Sequence, residues 1–171
     1  MKRISTSSPM PRLVCLAIAA SLSCAGIAQT MQKEGPFDIT NCWAGTSSTV
    51  AFSKTDSAFS GDLTGTMRSN PAGGPFDMMT FHCVNIFAAI EGKTNGTYYC
   101  VVADKDGDKF MLHGSSEGPK GKTETFAGTG KFEGMVRTST SEPLGAFPPV
   151  KPGAFQGCHR QTGTYKLKSQ Q

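Results

Sequence analysis

From Phe37 onward the chain never carries an apolar stripe of 3.6-residue period for more than two turns. Its apolar residues come in short runs broken by glycine, asparagine and proline, the punctuation of strands and turns. Glycine is heavy for the length, at 20 of 171 residues. A helical domain is excluded, and helix is a minor component at most. The runs place strands at Cys42 to Ser53, Ala58 to Arg68, Phe76 to Ile90, Thr97 to Ala103, Lys109 to Ser115, Glu124 to Ala127, Gly130 to Thr140 and Gly163 to Lys168. Their even spacing suits an antiparallel sandwich or barrel. A barrel is expected, because short strands must bury their edges.

The sharpest local signal is Val101 to Leu112, where Asp106-Gly107 splits two apolar runs and favours a two-residue hairpin turn. Pairing through it sets Asp104 opposite Lys109, Val102 opposite Met111 and Cys100 opposite His113. The aspartates invite a calcium-loop reading, but counted from Asp104 such a loop puts Lys109 where its glycine belongs and Ser115 where its bidentate glutamate belongs. A short repeat, Gly35-Pro36-Phe37-Asp38 and Gly74-Pro75-Phe76-Asp77, reads as a reused strand-entry turn. The stretch Ser141 to Gly157 carries four prolines and is expected to lie outside the sheet. Its Leu144, Phe147, Val150 and Phe155 suggest an ordered cap or crossover over one barrel mouth, with Phe147 and Phe155 directed inward.

The N-terminus reads as a secretory signal peptide: Lys2, Arg3 and Arg12 without an acid, an apolar run from Leu13 to Ala25, then Gly26-Ile27-Ala28. Cleavage is expected after Ala28, leaving a loose terminus over 29–36, one domain over 37–168 and a short tail over 169–171. Removal of 1–28 leaves 14 basic against 13 acidic residues, so the basic pI belongs to the signal. A nearly balanced surface lacks the basic stripe that phosphate contacts need, and nucleic acid is not an expected partner. No mature segment approaches the twenty apolar residues of a membrane helix. Cys15 and Cys24 leave with the signal, and Cys42, Cys83, Cys100 and Cys158 then meet an oxidising periplasmic or extracellular compartment, where two disulfides are the default. Gaps of 41, 17 and 58 residues between those cysteines do not suit zinc.

Gly128-Thr129-Gly130-Lys131-Phe132-Glu133-Gly134, followed by Thr162-Gly163-Thr164-Tyr165, resembles the glycine-rich turn and terminal-strand signature of allene-oxide-cyclase-like and dirigent-like β-barrels and of related bacterial secreted proteins of unknown function. The likeness spans about forty residues. It implies that Gly128, Gly130 and Gly134 hold a tight turn between two late strands and that the last strand, with Tyr165, closes on the first, with Trp43. The expected fold is therefore all-β, a single antiparallel barrel of about eight strands, calycin- or allene-oxide-cyclase-like, with a proline-rich loop and two disulfides. Cys42 with Cys158 would join the terminal strands, and Cys83 with Cys100 would cross a hairpin turning at Glu91-Gly92. A turn at Asn95-Gly96 would separate the latter pair. No catalytic residue carries over, because the likeness lies in a scaffold turn.

Chemical candidates are few. His82, His113 and His159 show no ligand spacing, there is no G-x-S-x-G elbow, and neither metal nor cofactor is expected. Glu133 and Arg137, four apart, would share a strand face, and Trp43, the sole tryptophan, lies opposite Cys42 as a core ring or a ligand-stacking wall. The expected ligand-binding residues are Trp43, Phe147, Phe155, Glu133 and Arg137. Three functions follow in order: a binding barrel for a small apolar molecule, a structural or protein-interaction module, and a cyclase, isomerase or hydrolase-like enzyme. The first needs an apolar lumen, the second a filled interior with an exposed apolar patch, the third polar groups of perturbed pKa converging in a pocket.

Overall fold

A computed structural model describes residues 31–118 and 120–168. The expected signal segment 1–28 and the expected tail 169–171 lie outside the described residues. Eight strands follow in order: β1 (Glu34–Ala51), β2 (Ser57–Ser69), β3 (Met79–Ile90), β4 (Lys93–Ala103), β5 (Lys109–Glu117), β6 (Lys120–Gly128), β7 (Val136–Ala146) and β8 (Ala154–Lys166), with a 3₁₀ turn at Gly130–Phe132. Each pairs antiparallel with the next and β8 returns to β1, closing the barrel. Trp43 meets Gly157 across that closure and Tyr165 meets Gly35.

Period-two alternation sorts the walls. Phe37, Ile39 and Asn41 of β1 are buried, as are Leu63, Met67 and Ser69 of β2, while Asp38, Thr40, Thr64, Thr66 and Arg68 look outward. Both disulfides join residues directly opposite one another. Cys42–Cys158 clasps β1 to β8 on the outer face, and Cys83–Cys100 crosses the β3–β4 hairpin inside the lumen. The hairpin turns at Glu91-Gly92, both at positive φ, which sets position 83 against 100.

Several expectations need correction. The β4–β5 register is shifted by one: Ala103 pairs with Lys109, Val102 with Phe110 and Cys100 with Leu112. The cause is the Asp104 carboxylate, whose Oδ1 accepts the backbone N–H groups of Asp106 (2.9 Å) and Asp108 (3.0 Å) and closes a five-residue loop. One residue of slip sends Cys100, Val102, Phe110 and Leu112 inward together and leaves Tyr99, Val101 and Met111 outside. The terminus is not loose throughout, since β1 begins at Glu34. The proline-rich stretch is strand on both flanks: Pro143 sits in β7 opposite His159, and only residues 147–153 form the loop. β6 pairs with β7 no further than Ser141, so Pro143 sits where β7 has a partner strand, β8, on one side only.

One end of the barrel is plugged by aromatic rings, and both copies of the Gly-Pro-Phe-Asp repeat meet there. Phe76 belongs to the β2–β3 connection rather than to a strand and is held at φ 63°. Its ring packs on Phe37 at 5.1 Å, Tyr165 at 5.2 Å, Phe110 at 5.7 Å and Phe132 at 6.4 Å between centroids. The aspartate after each phenylalanine takes an arginine: Asp38 accepts from Arg160 Nε at 3.0 Å and Asp77 from Arg68 Nε at 2.9 Å. Asp77 also accepts the N–H groups of Gly73 (2.7 Å) and Ser69 (3.0 Å). Burial works against its charge, but these donors outweigh it and hold the carboxyl down to about 2.

The glycine-rich motif forms the β6–β7 turn, with Gly130 and Gly134 at positive φ and Gly128 packed so closely on the Phe132 backbone that a Cβ has no room. Phe132 enters the core, and Lys131 reaches the β4–β5 loop, where its ammonium lies against Asp104 and Asp106. A lysine thus stands where a cation would be sought among those aspartates. Burial opposes its charge, yet contact with Asp104 and Asp106 prevails and its pKa is raised. Beyond this turn, β6 and β7 pair over four positions only, Gly121–Glu124 with Thr138–Ser141.

Candidate functional site

Above the aromatic plug the lumen is not filled. The reason lies in cross-strand pairs of a large ring and a glycine: Phe81 faces Gly65, Phe87 faces Gly96, Tyr98 faces Gly114 and Trp43 faces Gly157. At the first three glycines a Cβ would overlap the ring, and at Gly157 it would come within 3.0 Å of Trp43. Each ring therefore lies along the wall over its glycine instead of crossing the barrel. What remains is a cavity of about 350 Å³. Trp43, Phe59, Phe81, Phe87, Tyr98 and Phe155 supply its aromatic surface, with Leu63 and the Cys83–Cys100 bridge between them.

A small polar set converges on the same space: Asn41, Asn85, Ser141, His159 and Gln161. His159 meets the Trp43 ring edge-on at 4.6 Å, and burial lowers its imidazole pKa, favouring the neutral form. The Tyr98 hydroxyl is pushed by burial up to about 12, against the pull of Arg137. Arg137 itself is 1% exposed beside the cavity floor. Its guanidinium stacks on Phe37, 4.4 Å from the centroid, and donates to Gln161 Oε1 at 2.9 Å and Thr123 Oγ1 at 3.4 Å. Burial lowers its pKa to about 10, which leaves it charged at neutral pH.

The residues singled out in the sequence separate in space. Trp43 and Phe155 line the cavity. Phe147 does not, and its ring is 48% exposed at the start of the 147–153 loop. Glu133 is exposed in the turn after the 3₁₀ segment, before β7 begins at Val136, so it shares no strand face with the buried Arg137. Asp106 and Gly107 sit in the β4–β5 loop and do not line the cavity. His82 is on the outer face beside Asp62 at 2.9 Å, and His113 touches Thr97 there at 2.6 Å. Asn41, Tyr98 and Gln161 had not been singled out. Steps of two from Trp43 back to 41, and from Phe155 on to 159 and 161, would have found most of the polar set.

No protein-family model matches the chain. No curated protein matches it. Among solved structures it is similar to the pterocarpan synthase dirigent protein GePTS1, with 12% identity and a TM-score of 0.49 over 81% of this chain and 94% of that one. The barrel assignment stands on the strand pairing itself.

Proposed function

We propose that this protein is a secreted or periplasmic binding barrel that holds a small apolar molecule in its lumen, within a single domain that follows a cleaved signal and whose first strand begins at Glu34. The observation that carries this reading is the aromatic cavity of about 350 Å³, a size that ligand pockets occupy and packed cores do not. Two disulfides fit an oxidising compartment, and no described helix is long and apolar enough to cross a membrane. Val84, Tyr99, Met111 and Phe126 are exposed on the outer wall and favour a protein-interaction module as the second reading. The unfilled interior favours the first.

Trp43 is the only tryptophan and lies in the lining, so its fluorescence reports occupancy. Titration with the neutral apolar dye Nile red should quench Trp43 and brighten the dye in parallel. Phe155→Ala should weaken the dye by severalfold, and Phe147→Ala should leave it unchanged. A dye signal that does not quench Trp43, or that persists unaltered in Phe155→Ala, would place the dye on the outer wall and reject the lumen as the site.

A further inference from the structure

We infer that the ligand is an amphipathic carboxylate, an aryl or arylalkyl acid whose anionic end seats against Gln161 and Asn41 with the Arg137 guanidinium behind them. This rests on the lumen-binding reading. Of the three arginines among the described residues, the two at the surface each have a carboxylate: Arg68 pairs with Asp77 and Arg160 with Asp38. The buried one has none. Arg137 spends its donors on neutral oxygens of Gln161 and Thr123, and its Nε has no partner. A guanidinium closed off from water with no anion beside it is an expensive arrangement, offset only in part by the Phe37, Phe76 and Phe110 rings around it.

The geometry says where the missing anion belongs. Gln161 lines the cavity and gives its carbonyl oxygen to Arg137, so its amide N–H groups are left to face elsewhere, polarised by the cation behind. Asn41, 6% exposed in the same lining, has its amide oxygen closed off without a partner, which leaves the two N–H donors of that amide for the lumen. Among the described residues no acidic side chain lines the cavity to compete for these donors. Above them Trp43, Phe81, Tyr98 and Phe155 offer faces and edges to an aromatic body. Gln161 and Asn41 touch the head group in this arrangement, and Arg137 acts through Gln161.

A matched series separates the head from the body: 4-phenylbutanoate, 4-phenylbutan-1-ol and 4-phenylbutylammonium, titrated into the native protein by calorimetry and by Trp43 quenching. The carboxylate should bind at least tenfold tighter than the alcohol, about 1.4 kcal/mol, and the ammonium weakest. Gln161→Leu and Arg137→Met should each erase most of that preference, lowering the affinity of the carboxylate far more than that of the alcohol. Should Arg137→Met fail to fold, the native series and Gln161→Leu decide. Equal binding of carboxylate and alcohol, or an ammonium as tight as the carboxylate, would overturn the head-group assignment while leaving the lumen site intact. Failure of all three compounds together with Nile red would instead remove the lumen site itself.

Discussion

Replacing Phe76 with alanine tests whether the plug holds the barrel end together. The ring is 4% exposed and touches Phe37, Phe110, Phe132 and Tyr165, with the Arg137 guanidinium 5.3 Å from its centroid. Phenylalanine-to-alanine truncation in a core costs about 3–5 kcal/mol. Four aromatic neighbours and a stacked cation put this site at the upper end, about 4–5 kcal/mol, since each aromatic pair adds about 0.5–1.5 kcal/mol beyond burial. Urea unfolding, followed by the Trp43 signal, should show the midpoint falling by about 2 M at an m-value near 2 kcal/mol/M. The backbone supplies an internal check. Because φ at Phe76 is 63°, Phe76→Gly relieves a left-handed conformation that costs about 1–2 kcal/mol and gives back about 0.5–1 kcal/mol through the freer unfolded chain. Glycine should therefore be no worse than alanine, reversing the order expected at an extended core position. A loss under about 2 kcal/mol for Phe76→Ala, against the ~3 kcal/mol minimum for such truncations, would show that the plug closes up without it. Glycine clearly worse than alanine would show that residue 76 is not held left-handed.

The disulfides should differ in weight: Cys42 and Cys158 enclose a sequence separation of 116 and Cys83 and Cys100 one of 17, so replacing the first pair with alanine should cost about 5 kcal/mol and the second about 3 kcal/mol in denaturant unfolding. The opposite order would mean that the lumen bridge acts through packing rather than through the unfolded chain. Asp77 binds its proton less readily folded, at about 2, than unfolded, near 3.9, so its stabilisation is complete above about pH 4 and disappears as pH falls toward about 2. Asp77→Asn should flatten that part of the acid limb of a stability–pH curve; an unchanged limb would exclude Asp77 as a contributor.

Period two made the walls legible from residue types, while the closure of Tyr165's strand on Trp43's came with the resemblance carried by the glycine-rich turn, and the Cys83–Cys100 pairing depended on which of two turns, Glu91-Gly92 or Asn95-Gly96, the hairpin takes. Where a side chain recruits the backbone, pattern was silent. Asp104 binds two N–H groups and moves the β4–β5 register by one, against the preference of Asp106-Gly107 for a two-residue turn. Pro143 was misplaced because its tolerance depends on how far a neighbouring strand extends, which is a property of pairing and not of the segment. Trp43 stood out as the sole tryptophan and Phe155 as an aromatic ring of the proline-rich stretch, whereas Asn41 and Gln161 became visible only after one face of each strand was known to be interior. The cavity itself was hidden for the same reason. A glycine under a ring is a relation between two strands, and it exists only in the correct register.

The four-position pairing of β6 with β7 gives this cylinder a hinge line. A closed hydrogen-bonded wall has to break somewhere before a bulky guest can pass through its side, and this junction offers fewer bonds to break than any other. A groove along it, between His113, Lys122 and Glu124 on one bank and Thr138, Thr140 and Thr162 on the other, already lies open outside. Transient parting there would uncover Thr123, Ser139 and the buried Arg137 in one movement. Amide protons of β6 and β7 should accordingly exchange with solvent sooner than those of β1 and β8, which share thirteen paired positions and a covalent clasp.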